Sequence, residues 1–139
     1  MASGYRIIDH TGDLGVEVEA PDFAELVRWA SLALTDTLVE LDRVRGIRTR
    51  RWTVEAENEE GLLVAQLQEI LFRMDAEGMV FGDFKIERLS ARSLNCVAVG
   101  EALDRERHGF KTEIKAVTYH GLKIGEHEGK KTVRIIFDV

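Results

Sequence analysis

Apolar positions recur along this chain with two periods, and the periods divide it into helices and strands. In PDFAELVRWASLALTDTLVEL, residues Phe23, Leu26, Val27, Ala30, Leu34, Leu38 and Leu41 fall at helical spacing. Asp22 followed by Glu25 makes a capping-box start, and Pro21 stops the preceding strand. In NEEGLLVAQLQEILFRMDAEG the stripe is Leu63, Leu67, Ile70, Leu71 and Met74. Asn58 caps this second helix, the acids after it suit the positive end of the helix dipole, and Gly78 suits its C-terminal stop. Both stripes predict helix faces packed into a core.

The remaining segments alternate with period two. YRII and GVEVEA flank a polar turn, and RWTVEA places Trp52, Val54 and Ala56 on one side. DFKIERL and SLNCVAVG are separated by a short SAR, which predicts a hairpin. TEIKAVTYHGLKI and KTVRIIFDV are separated by GEHEG, which predicts another with His127 at its tip. In the first of these, Ile114, Ala116 and Thr118 share one strand face and Lys115, Val117 and Tyr119 the other. The order of elements predicts an α+β fold: a two-layer sandwich in which a mostly antiparallel sheet carries two main helices on one face. One Pro, no Ser/Gly linker and no low-complexity tract point to a single domain over residues 1–139.

Composition narrows the function classes. Apolar residues make up 45% and charged residues 32%, as in a soluble globular protein, and no apolar run is long enough to span a bilayer. MASGYRII lacks the basic start and apolar core of a signal peptide, and Cys96 is the single cysteine; together these favour the cytoplasm and no membrane partner. The net charge of −6 argues against a stand-alone nucleic-acid binder. The basic run RVRGIRTRR, with Arg43, Arg45, Arg48, Arg50 and Arg51, reads first as a solvated loop entering an edge strand, and second as a patch for RNA or an acidic partner.

Chemistry-bearing residues are sparse. His10, His108, His120 and His127 have no zinc spacing with Cys96, which reads as a small core residue. There is no glycine-rich phosphate loop, nucleophile elbow or HExxH motif. The acids carry more. Asp9 and Asp13 bracket the opening turn DHTGD, either closing Asx turns or pointing a carboxylate into a shared site. In the terminal VRIIFDV, Arg134, Ile136 and Asp138 share a strand face, and Val139 adds its α-carboxylate beside Asp138. If the first and last strands are neighbours, Asp13, Asp138 and the terminal carboxylate converge. Such an oxygen-only set suits a hard cation such as calcium or magnesium, which would relieve the mutual repulsion of the acids.

DHTGDLG, EIKAVTYHGLKI and the terminal IIFDV, in this order and at this chain length, strongly resemble the archease family. The resemblance implies a small α+β protein that is not itself an enzyme. It implies an activator of an RtcB-type RNA ligase in tRNA splicing and RNA repair, one that promotes guanylylation of the ligase and its multiple turnover. It carries metal ligands onto Asp13, Asp138 and Val139, for a divalent hard cation, calcium ahead of magnesium or manganese. Asp9 and His10 then shape the turn or surround the ligands, and Lys115 or His120 lies beside the acidic site to meet the ligase. Any RNA contact would be indirect, through the ligase. Gly12 stands where the family usually has Ala, which loosens the turn without removing a carboxylate. Two other readings stay open: a chaperone-like modulator of a tRNA methyltransferase, and a metal-dependent phosphoesterase, for which no convincing general base accompanies the acids.

Overall fold

The computed structural model describes residues 4–10, 13–119 and 121–139, the side chains of His10 and Asp13 excepted. Its elements are β1 (Gly4–His10), β2 (Asp13–Ala20), α1 (Phe23–Leu38), β3 (Arg48–Glu55), α2 (Glu59–Glu77), β4 (Met79–Ser90), β5 (Ser93–Ala102), β6 (Ala116–Val117), β7 (Gly125–His127) and β8 (Lys130–Asp138). A short 3-10 turn covers Leu41–Arg43.

Local chemistry sets the helix ends. The Asp22 carboxylate accepts the Glu25 N–H at 2.8 Å, and the Asn58 side chain accepts the Gly61 N–H at 2.8 Å. These satisfy backbone donors that have no partner inside the helix. At the end of α2, Gly78 takes a left-handed φ of 64°, and its N–H reaches the carbonyls of Arg73 and Met74. The first helix ends at Leu38, so Leu41 lies beyond it, in the 3-10 turn.

The fold is α+β with two main helices, and every strand pair is antiparallel. The strands divide into two sheets: one runs β1-β2-β8-β6 with β7 also on β8, the other β3-β5-β4. The division follows from α1. Phe23, Leu26, Val27, Ala30, Leu32, Ala33, Leu34 and Leu38 are all buried, so its apolar surface is too wide for one sheet face. It packs against β2, β4 and α2 together. Val16, Val18, Val133, Ile135 and Phe137 meet it from the first sheet; Phe81, Phe84, Leu94, Cys96 and Ala98 extend the same core from the second.

Several buried polar groups in this core are paired, whereas Trp29 Nε1 and Thr35 Oγ1 have no partner among the described residues. Gln66 accepts from the Trp52 indole at 2.8 Å, and its amide nitrogen lies 3.3 Å from Ser31 Oγ and 3.4 Å from Cys96 Sγ. Burial pushes the Cys96 thiol up to about 11, as suits a packing residue.

The segment TEIKAVTYHGLKI departs from the alternating strand its pattern predicts. Only Ala116 and Val117 pair with β8. Ile114 and Val117, three residues apart, are both buried, which strict alternation forbids. The chain turns at Tyr119, whose carbonyl accepts the Leu122 N–H, and Gly121 takes a φ of 76°. The Ile124 N–H then goes to the Glu60 carboxylate, away from the sheet. The second hairpin survives as β7 and β8, with His127 opposite Lys130 beside the turn.

Sequence patterning gave no sign of a buried ionic cluster behind the segment after β5. Glu101, 4% exposed, accepts from fully buried His108 at 2.9 Å, from the Arg45 backbone N–H at 2.8 Å and from the Arg107 guanidinium at 2.6 Å. The Asp104 N–H donates to His108 Nδ1, so the imidazole carries its hydrogen on Nε2 and gives it to Glu101. Burial alone would raise the Glu101 pKa. The bonds from His108, Arg45 and Arg107, with the Arg107 charge, outweigh burial and hold it at about 2.

Candidate metal centre at the ends of two strands

β2 is the central link of the first sheet, hydrogen-bonded to β1 on one side and to β8 on the other. Register therefore decides which residues meet. Leu14 lies opposite Asp9 and Phe137; Gly15 opposite Ile8 and Ile136; Val16 opposite Ile7 and Ile135. Continuing the ladder by one residue brings position 13, already paired with His10, to the same strand end as position 138.

Residues directly opposite one another share a sheet face. Val16, Val18, Val133, Ile135 and Phe137 define the core face. Asp138 is exposed and belongs to the other face, in the row of His10 and Asp13. The next rows on that face are Ile8–Gly15–Ile136, with Ile8 only 5% exposed, and Arg6–Glu17–Arg134, in which Arg6 is ion-paired to Glu17.

Gly15 holds this strand end together. A Cβ there would lie 2.3 Å from the Ile135 carbonyl oxygen and 3.0 Å from Ile136 Cδ1, so a larger residue would force β2 away from β8. The end of β8 is fixed from its other side as well. Asp138 pairs with Ala116, and its carbonyl accepts the Lys115 N–H at 2.7 Å.

The remaining candidates separate. Asp9 is exposed and falls in the row of Leu14 and Phe137, on the opposite face from Asp138. The Lys115 backbone touches Asp138, and Lys115 also lines a cleft of about 590 Å³ with Leu71, Phe72, Asp75 and Phe110. Val139 is 53% exposed at the end of β8. The side chains of His10 and Asp13, and all of His120, lie outside the described residues. Among the described residues no three His, Cys, Asp or Glu side chains gather as a metal site would require, and that set leaves out the Asp13 carboxylate.

The donor chemistry fits a hard cation. Asp13, Asp138 and the Val139 α-carboxylate offer only oxygen, and the exposed strand end leaves water free to complete the six to eight ligands that calcium takes. Sequence reasoning placed Arg134 and Ile136 on the face of Asp138 but did not foresee the matching Arg6 and Ile8 of β1. Its signal was present: Arg6 and Ile8 share the parity of His10, as Arg134 and Ile136 share that of Asp138.

Comparison with known proteins gives this arrangement a family. The model of the Archease protein family (MTH1598/TM1083) matches residues 5–139. Protein archease of Pyrococcus abyssi is 36% identical over 135 residues, covering 94% of this chain and 95% of that one. Protein archease of Methanopyrus kandleri is 37% identical over 139 residues, covering 95% and 96%. The solution structure of Methanobacterium thermoautotrophicum protein 1598 superposes with a TM-score of 0.79 at 29% identity, covering 98% of this chain and 99% of that one. The crystal structure of a Thermotoga maritima archease, described as a possible chaperone, shares the fold with a TM-score of 0.62 at 20% identity, over 96% of both chains. With a family match that begins in β1 and runs through β8 to Val139, this chain belongs to the archease family.

Proposed function

We propose that this protein is a non-catalytic activator of an RtcB-type RNA ligase, acting in tRNA splicing and RNA repair through a divalent cation held by Asp13, Asp138 and the Val139 α-carboxylate. The observation that carries the reading is the β2–β8 register. Leu14 opposite Phe137 leaves two aspartate positions, far apart in sequence, at one strand end beside the terminal carboxylate. Calcium is the ion that best suits these ligands, with magnesium or manganese as substitutes. When bound, the cation supplies positive charge at an exposed edge, where it can engage anionic groups of the ligase. The chain's own residues position it: Gly15 keeps β2 close to β8, and the Lys115–Asp138 backbone bond anchors the last residues.

The test is a guanylylation assay of the cognate ligase with GTP, with and without this protein. Stimulation by the wild-type chain, and its loss in Asp13→Ala and Asp138→Ala variants that still fold, is the expected outcome. Normal stimulation by both variants would sink the metal-site mechanism. Capture of a tRNA methyltransferase in place of the ligase in a pull-down would redirect the reading to that partner.

A further inference from the structure

The basic run of residues 43–51 leads into β3, and β3 is an edge. Among the described residues it pairs with β5 on one side and with no strand on the other. The Ala56 N–H bonds to the Arg92 carbonyl, in register with the pairs from Arg48–Gly100 to Glu55–Ser93. Hydrogen-bonded pairs alternate along an antiparallel ladder, so even-numbered residues of β3 direct their backbone groups to β5. The odd-numbered Thr49, Arg51 and Thr53 direct theirs outward, where the Thr49 carbonyl already accepts the Arg50 guanidinium at 3.1 Å.

The charge over the first half of this edge is of one sign, and Glu55 closes the strand with the opposite one. From Arg45 to Arg51 there are four arginines and no acid, in a chain whose net charge is −6. Arg45, Ile47, Arg48, Thr49 and Arg51 are exposed, Ile47 to 70%. Arg50 reaches Glu77 only at 4.0 Å. Among the described residues the Arg48 and Arg51 guanidinium groups make no salt bridge. Arg48 and Arg50 lie on one face of the strand and Arg51 on the other, so a strand laid beside β3 would meet cations on both faces.

We propose that the open edge of β3 is a docking site for an acidic, strand-forming segment of a partner protein. An arginine edge repels the same edge of a second copy, and the same charge selects a strand of opposite sign. An added peptide strand supplies acceptors to the outward N–H groups of Thr49, Arg51 and Thr53 and donors to the outward C=O groups of Arg51 and Thr53, whereas a nucleic-acid backbone supplies chiefly acceptors. Nor does this edge offer stacking rings to bases: Trp52, the one aromatic residue of β3, is 7% exposed and lies under the Arg73 guanidinium. The site is on the second sheet and does not rest on the ligase reading.

The experiment uses the whole chain, with neither ligase nor cation. The probe is a fluorescent eight-residue peptide of alternating glutamate and valine. Two comparison probes are the same peptide N-methylated at alternate residues and an eight-nucleotide oligouridylate. Anisotropy should show binding of the acidic peptide, and hydrogen exchange should slow at the amides of Thr49, Arg51 and Thr53. Arg48→Ala with Arg51→Ala should weaken that binding roughly tenfold while circular dichroism stays unchanged. The N-methylated peptide keeps its charge but loses the strand's donors, and should not bind. Failure of the acidic peptide to bind, equal binding of its N-methylated form, or tighter binding of the oligouridylate with protection at β3 would each overturn the proposal.

Discussion

Gly15 is the residue on which the candidate centre most directly depends. A methyl group there would press on the Ile135 carbonyl, which is backbone and cannot rotate away. Gly15→Ala is expected to lower stability by about 1–3 kcal/mol in urea unfolding and to weaken calcium binding in the same preparation, because β2 must move off β8 beside Asp13. Unchanged calcium binding would separate the strand contact from the site. Glu101 makes a different prediction. Its pKa is depressed from 4.5 to about 2 in the folded chain, so the stability it contributes is complete above about pH 4.5 and is lost as the pH falls toward 2. Urea midpoints measured across that interval should fall for the wild type, and more shallowly for Glu101→Gln. The variant should also begin about 1–3 kcal/mol less stable at neutral pH, since His108 and Arg107 lose a charged acceptor. At this scale the sequence was half legible. Asp13 and Asp138 stand out as acids at strand ends, whereas Glu101 looks like any solvated acid, because its partner His108 arrives through a turn that leaves no period.

Elements were legible where their causes are local. Asp22 and Asn58 cap their helices as the sequence indicates, because a capping side chain acts on a backbone N–H three residues away. Asp22→Ala and Asn58→Ala should each cost about 1 kcal/mol in chemical unfolding, with calcium affinity unaltered, since neither helix start touches the β2–β8 end. The hairpin of β4 and β5 and the edge position of β3 were readable for the same reason: short turns and charge patterns act over few residues. Residues 112–124 were not. β8 offers that segment an edge only at its last residues, β7 takes the other end of the same edge, and Gly121 turns the chain between them. Which strand claims an edge is a competition between distant segments, and hydrophobic alternation carries no information about it.

At the scale of the molecule, the separation into two sheets and the return of β8 to β2 are what bring positions 13 and 138 to one strand end. No local pattern specifies that return; it follows once α1 needs apolar cover from both sheets. The same topology sets an asymmetry between the termini. β1 runs antiparallel to β2, so Gly4 pairs with Glu19, at the opposite end of the sheet from His10 and Asp13. Six residue steps of strand separate Gly4 from His10, roughly 20 Å. A tag before Gly4 therefore lies far from the candidate centre. A tag joined to Val139 converts its α-carboxylate into a neutral amide and removes one charge and one oxygen donor from the proposed ligand set. Calcium titrations by calorimetry should show unchanged affinity for the N-terminally extended chain and a loss of about tenfold or more for the C-terminally extended one, a difference of at least ~1.4 kcal/mol. Asp138→Ala in the same titration shows whether a site exists at all. If that variant loses calcium while the C-terminal extension keeps it, the two aspartates hold the ion and Val139 is no ligand.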